Sequence, residues 1–378
     1  MSESPHTTTH RRKRPFSRRA VLGGAGAVAV GAGVTPAVFA VTDSGGSGGP
    51  ADDAAPQAAA GTRSEDFPET RSAAASGDGA ASAGFAASYV ALRWQGARDG
   101  AGIRFRDGDG AADGWRTVRG GGCAAVEDGG TALVAAGAAT AYEVTAPASA
   151  TDIRSVAIDT TDGPSRGVEV PSEPTRVRGV RYLSRPAWGA DESKRYKDGQ
   201  VNSPEKYYPL QTITVHHTDT PNGDADPAAT IRAIYEYHAI TLDWGDIGYH
   251  FLIDEAGNVY EGRYSGEDGA PAFDGNGDLV TAFHTAGYNS GNLGIALLGT
   301  LTDTGPTDAA KESLVRLVKV LSLLGGLDPQ AATTFVNPVD GVTKDVTTVS
   351  GHRDWLETDC PGQTMYDLLT EVRAAAAR

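Results

Sequence analysis

Histidine and cysteine are the residues of this 378-residue chain best suited to hold a metal or move a proton, and they are unevenly placed. Of the eight histidines, His6 and His10 lie at the extreme N-terminus. The other six, His216, His217, His238, His250, His284 and His352, all fall in the C-terminal half. His216 and His217 close a strand-like run over 211–217, where successive side chains point to opposite faces, so only one of them can serve a given site. His352 stands in Ser350-Gly351-His352-Arg353-Asp354-Trp355, and Cys360 follows just before Pro361-Gly362 and the last helix. A helix N-terminus favours a thiolate, the form of cysteine that binds metal. Two imidazoles and a thiolate match the ligand set of a catalytic zinc site with its fourth position left to water. By pattern alone, an inert buried thiol among hydrogen-bonded core histidines fits equally well.

The elements that must position these groups read as α/β over 180–378. Strands are expected at 211–217, 248–253, 258–261 and 293–298, the last nearly all apolar, as at the centre of a covered sheet. Asp226-Pro227 supplies an N-cap and a first-turn proline. Ile231, Ile234, Tyr235 and His238 then follow at helical spacing, which assigns His238 to packing on the buried helix face. Leu314, Leu317, Val318 and Leu321 mark a second helix closed by Gly325-Gly326, and a third follows Pro361. The predicted class is therefore a mixed β-sheet flanked by helices. Alternation along 249–253 places Tyr249 on the face of Phe251 and Ile253.

Upstream, the composition changes. Residues 85–171 hold short strand-like runs separated by Gly/Asp clusters, including Ile103-Arg104-Phe105-Arg106, and predict a small β-sandwich-like accessory domain, its Trp94 and Trp115 read as core, with a glycan surface as the alternative. From 41 to 84, 29 of 44 residues are Ala, Gly, Ser or Pro, too few bulky groups to offset ordering entropy, so a disordered linker is expected. Residues 1–40 read as an export signal: a basic cluster, a moderately apolar stretch from Ala20 and the small-residue site Val38-Phe39-Ala40. Ser17-Arg18-Arg19 with Leu22 gives it twin-arginine character. The stretch is too short and Gly-rich for stable membrane insertion. Six basic residues and one acid in this segment leave −20 on the rest of a chain of net charge −15, which excludes nucleic acid as a partner.

Several motifs together resemble one family. Leu183-Ser-Arg185-Pro-Ala-Trp188-Gly189, Val215-His216-His217-Thr218, Gly248-Tyr249-His250-Phe251, Asn258-Val259-Tyr260-Glu261-Gly262-Arg263, His284 through Asn289, Asn292-Leu-Gly294-Ile295, and Gly351-His352-Arg353-Asp354 through Thr358-Asp-Cys360-Pro361-Gly362 stand in the order found in peptidoglycan recognition proteins and zinc-dependent N-acetylmuramoyl-L-alanine amidases. The resemblance covers about 181–375. It implies Zn2+ held by His216, His352 and Cys360, a catalytic Tyr249, Thr358 at a position occupied in relatives by Thr or Lys, and His284 and Asn289 in the substrate cleft. His217 and His250 are then directed away from the metal, and Cys360 is not paired with Cys123. Two departures stand out. Ala296 replaces a glutamate found in the cytosolic branch, and no cysteine flanks the His-His strand, where animal members often carry a disulfide.

The resemblance and the export signal together imply a secreted or cell-wall-associated bacterial amidase. It would act as a monomer on peptidoglycan muropeptides, cutting the bond between the muramoyl lactyl group and L-alanine. The rival expectation is a peptidoglycan-binding protein that does not cut. A zinc peptidase acting on the stem peptide lacks any His-Glu-x-x-His motif.

Overall fold

The computed structural model describes residues 61–378 apart from 107–111, 121–128 and 268–269. The export signal, residues 41–60 of the expected linker and Cys123 lie outside the described residues. Among the described residues, no helix is long and apolar enough to cross a membrane.

The expected linker over 41–84 is corrected from residue 62 onward, where the chain is already in strands. β1 (Thr62–Pro68) pairs antiparallel along its whole length with β8 (Ser165–Pro171). β2 (Arg71–Ser76) and β3 (Gly79–Gln95) join β4 (Ala101–Arg106), β5 (Arg116–Val118), β6 (Gly130–Thr145) and β7 (Thr151–Asp159) in one antiparallel sheet, ordered β2-β7-β3-β6-β4-β5. The Ala/Ser-rich sequence that suggested a tether works here as small side chains on closely paired strands. In β2, half-buried and exposed residues alternate along the strand.

Where two stacked sheets were expected, hydrogen bonding joins the six strands into one. Register shifts in β3 between Ser82 and Tyr89 mark bulges, which bend strands. Val90, Leu92, Trp94, Ile103, Phe105, Tyr142 and Val144 form the apolar cluster of this sheet. Trp94 is in that core as expected. Trp115 is not: it is 46% exposed, with the Arg104 guanidinium 4.7 Å from its ring.

The C-terminal half carries the expected α/β arrangement. β9 (Thr212–His217), β10 (Phe251–Ile253), β11 (Val259–Glu261), β12 (Asn292–Leu297) and β13 (Val349–Gly351) form a sheet ordered β11-β10-β12-β9-β13. Only β11 is antiparallel to its neighbour. Every residue of β9 and β12 is buried, because helices cover both faces. Ile213, Val215, Phe251, Ile253, Leu293, Ile295 and Leu297 pack on α2 (Asp308–Gly325) and α3 (Gln363–Ala376). Leu252, Ala296 and Leu298 pack on the other side against Trp188 and Ile231, Ile234 and Tyr235 of α1 (Pro227–Glu236). Asp226 caps α1 as the sequence indicates, its Oδ1 accepting from Ala229 N at 3.0 Å. Beyond Glu236 the chain continues as a π-helical turn, Tyr237–Thr241, which carries His238 inward.

α1 also meets the N-terminal sheet. Tyr89, Ala91 and Ile158 share an apolar cluster with Ala233, Tyr237 and Leu242. Polar contacts frame it: Tyr89 and Thr230 hydroxyls lie 3.0 Å apart, and Thr160 Oγ1 donates to Ala229 O at 2.9 Å. Buried Arg232 bridges the two halves, donating to Trp188 O at 3.0 Å and Thr160 O at 3.2 Å. Replacing Arg232 with Leu leaves both carbonyls without that donor. The expected loss is about 2–3 kcal/mol, measured as a drop in the urea midpoint, with no loss if water replaces the guanidinium.

Candidate metal centre

Parallel pairing of β9 with β13 sets Val215 opposite Gly351, so the next residues along each strand, His216 and His352, emerge side by side. Their ring centroids are 4.5 Å apart. Cys360 is brought to the same place by a loop folded back on the His352 turn, in which Arg353 N donates to Cys360 O at 3.0 Å and Arg353 Nη2 to Asp359 O. Cys360 Sγ lies 3.6 Å from His216 Nδ1. One donor atom from each of His216, His352 and Cys360 falls within 4.8 Å of the others, and all three residues are buried. His217 points to the opposite face, where its Nδ1 accepts from Leu301 N at 3.0 Å. The alternation at the strand's end therefore delivers one histidine of the pair, His216.

The orientation of His216 is set from behind. His284 Nε2 is 3.1 Å from Asn292 O, which can only accept, so the proton of His284 is on Nε2 and its Nδ1 is an acceptor. His216 Nε2, 3.0 Å from that Nδ1, is then the donor. This leaves His216 Nδ1, the nitrogen facing Cys360, with its lone pair available. Thr285 Oγ1 also approaches His284 Nδ1, at 2.8 Å. A Cβ on Gly294 would lie 2.6 Å from the His284 ring, so the ring can stand against β12 only because that residue is glycine. His250 is held between Gly294 N and Val280 O, away from the cluster.

Burial keeps this group of imidazoles uncharged. His352 is pushed down to about 3 by loss of solvent and by His284 and His217, and His284 to about 4 by loss of solvent against the opposing Asn292 contact. His216 lies well below the usual histidine range for the same first reason, with His352 and His284 adding to it. A neutral imidazole is the state that ligates metal. His352 supplies a further mark: both of its ring nitrogens are buried without a hydrogen-bond partner among the described residues. Such orphaned groups are rare, and a metal held by the cluster would satisfy one of the two nitrogens.

The remaining sequence candidates are placed as follows. Tyr249 stands with its ring centroid 5.3 Å from that of His216 and lines a cleft of about 590 Å3. It does not share the face of Phe251 and Ile253. It clusters with Leu252: before Phe251 the pairing turns irregular, with Gly262 N donating to His250 O and Arg263 N to Tyr249 O, both at 2.8 Å, and Tyr249 stands on the His216 side. Thr358 Oγ1 accepts from Cys360 N at 3.2 Å. His238 packs between Tyr249 and Trp244 and accepts from Gly248 N through Nδ1, a packing role as read.

His284 and Asn289, expected as substrate contacts, make these contacts within the chain. His284 is buried behind His216, and Asn289 Oδ1 accepts from the backbone N–H groups of His284 and Thr285, holding their loop. Asn292 was quoted in a motif but given no role by the sequence reading. Its Oδ1 accepts from Thr214 Oγ1 and its carbonyl fixes His284, and a polar residue opening an otherwise apolar strand was the available signal. Trp188 is fully buried and donates to Glu261 O, so it belongs to the core.

Residues 206–363 match the family model described as N-acetylmuramoyl-L-alanine amidase. The chain is 33% identical over 166 residues to the human protein named N-acetylmuramoyl-L-alanine amidase, covering 43% of this chain but 24% of that one. It is 31% identical over 194 residues to peptidoglycan-recognition protein SC2 of Drosophila melanogaster, covering 50% of this chain and 85% of that protein. The chain belongs to the peptidoglycan recognition protein and N-acetylmuramoyl-L-alanine amidase family. Among solved structures, Drosophila peptidoglycan recognition protein SA is similar over 50% of this chain and 89% of its own, at 26% identity and a TM-score of 0.37. In this family member, Gly294→Ala is expected to push His284 off His216 and lower affinity for zinc about 10- to 100-fold, the usual effect of losing a partner behind a ligand. Zinc titration of the metal-stripped protein checks this; unchanged affinity means His284 does not orient His216.

Proposed function

We propose that the protein is an exported, zinc-dependent N-acetylmuramoyl-L-alanine amidase that hydrolyses the amide between the muramoyl lactyl group and L-alanine of peptidoglycan. The observation that carries this reading is the buried His216–His352–Cys360 cluster, with both nitrogens of His352 orphaned, beside a cleft lined by Tyr249. The donor set fits zinc. The separation of Sγ and Nδ1, 3.6 Å, is the edge of a tetrahedron with Zn–S of about 2.3 Å and Zn–N of about 2.0–2.1 Å. Zinc held there would supply Lewis acidity toward the amide carbonyl and acidify water.

The chain's own residues do the rest. His216 is fixed in ring orientation and tautomer by His284, and Asn292 O fixes His284 in turn. The Tyr249 hydroxyl is the donor for the oxyanion that develops as water adds to the carbonyl. Thr358, bonded to the backbone of Cys360, contributes a second hydroxyl at the ligand segment. Burial around the cluster strengthens these electrostatic contacts.

A binding protein that does not cut is the second reading, and it also draws on family membership. The intact Cys360 in ligand geometry favours catalysis over it, since binding alone does not need a thiolate donor. Digestion of purified peptidoglycan followed by mass analysis separates the two: the amidase releases stem peptides with a new N-terminal alanine, and a chelator stops the release. Intact peptidoglycan after incubation with the zinc-loaded protein leaves the binding reading.

Two variants probe the parts. Cys360→Ser is expected to lose zinc and most activity with little change in fold, because a neutral hydroxyl is a poor ligand; wild-type zinc content in this variant removes Cys360 from the ligand set. Tyr249→Phe is expected to keep its zinc and slow turnover about 10²-fold, the typical worth of one oxyanion donor. Full turnover would assign Tyr249 to packing and pass the donor role to Thr358.

A further inference from the structure

The C-terminal half provides only part of the cleft that Tyr249 lines. The facing wall comes from the N-terminal sheet: Arg116 and Thr117 of β5, Arg119 just beyond it, and Leu133 and Ala135 of β6. At about 590 Å3 the space is in the range of sites that enclose a small ligand. Its charges are segregated, with Arg116 and Arg119 on the sheet side and Asp219 and Asp303 on the loops opposite.

The two arginines differ in how tightly they are held. Arg116 is locked by Asp113 Oδ2 at 2.6 Å, by Ala135 O at 3.1 Å and by the Phe105 ring. Among the described residues Arg119 makes one ion pair, at 2.7 Å with Asp359, the residue before Cys360. Both side chains of that pair are largely exposed, at 79% and 69%. Exposed pairs of this kind contribute little, so Arg119 can exchange its partner for a ligand carboxylate at small cost. It is therefore a cation poised next to the metal-ligand loop, on a wall that the catalytic half does not itself supply.

We propose that the N-terminal sheet forms the second wall of the substrate cleft and that Arg119 recognises a free carboxylate on the stem peptide. This deepens the amidase reading and rests on it. The accessory sheet then acts as a specificity element, matching a peptide that carries an anionic group on one side and an amine on the other.

The test uses the full zinc-loaded chain and two soluble muropeptides that differ only in whether the stem carboxyls are free or amidated. Wild-type protein is expected to show the lower KM on the free-carboxyl substrate. Arg119→Gln should raise that KM about threefold, the worth of an exposed ion pair, and abolish the discrimination, with kcat and zinc content unchanged. Arg119→Lys should retain it. Thr117 is exposed, so Thr117→Trp fills the cleft without disturbing a core. It should raise KM on both substrates about tenfold, within the usual cost of an intruding side chain.

Wild-type KM values in both Arg119→Gln and Thr117→Trp overturn the proposal. Should the wild type cleave neither substrate, the amidase reading fails, and calorimetric binding of the same two muropeptides decides the cleft. Weaker binding by Thr117→Trp, with loss of carboxylate preference in Arg119→Gln, supports the second wall. Unchanged binding in both removes it.

Discussion

The candidate site depends on the parallel pairing of two short strands far apart in the chain, β9 and β13. Their register, Val215 opposite Gly351, determines which residues emerge at the carboxyl ends of the strands, and His216 and His352 are those residues. Open α/β sheets place their ligands at this end. A slip of one residue would turn His216 to the face where His217 now accepts from Leu301 N and would dismantle the cluster. The pairing is itself protected by close packing. A Cβ on Gly351 would lie 2.8 Å from the Tyr366 ring and 3.0 Å from Pro361, so β13 can lie this close to α3 and to the Cys360 loop only with glycine there.

Around that pairing the protein assembles a dry shell of neutral rings. His216, His284, His250 and His352 are all fully or nearly fully buried, and loss of solvent is the largest influence on each. Each ring other than His352 is satisfied by a neighbour: His216 by His284, His284 by Asn292 O, and His250 by Val280 O and Gly294 N. The unsatisfied polarity of the whole group is thereby concentrated on one residue, and that residue faces His216 and Cys360. Such a network is preorganised: its donors and acceptors are committed before any ligand arrives.

Much of this was legible in the sequence because it rests on local rules. The confinement of the histidines, the alternation that divides His216 from His217, the Asp226-Pro227 cap and the apolar period of α1 are short-range signals, and the structure keeps them. What was misread depends on distant partners. Residues 62–84 looked too small to fold, yet their strands are ordered by pairing with β6, β7 and β8 from far downstream. Tyr249 was assigned to the wrong face because alternation holds only within regular pairing, which starts two residues later. The place of His284 behind His216 was not legible, since nothing nearby in sequence reveals that Gly294 makes room for its ring.

The apolar cluster shared by the N-terminal sheet and α1 bears on how this protein can be rebuilt. α1 packs its Ile231 and Ile234 side on the C-terminal sheet and gives Ala233, together with Tyr237 of the π-helical turn and Leu242 beyond it, to Tyr89, Ala91 and Ile158. A helix loaded on both sides is not a surface helix, so the two halves are not beads on a string. A C-terminal half cut free after β8 and grafted to another carrier would present that second stripe to water, where exposed apolar patches invite association. Chimeras in which both halves are exchanged together preserve the stripe; those that swap one half must redesign it.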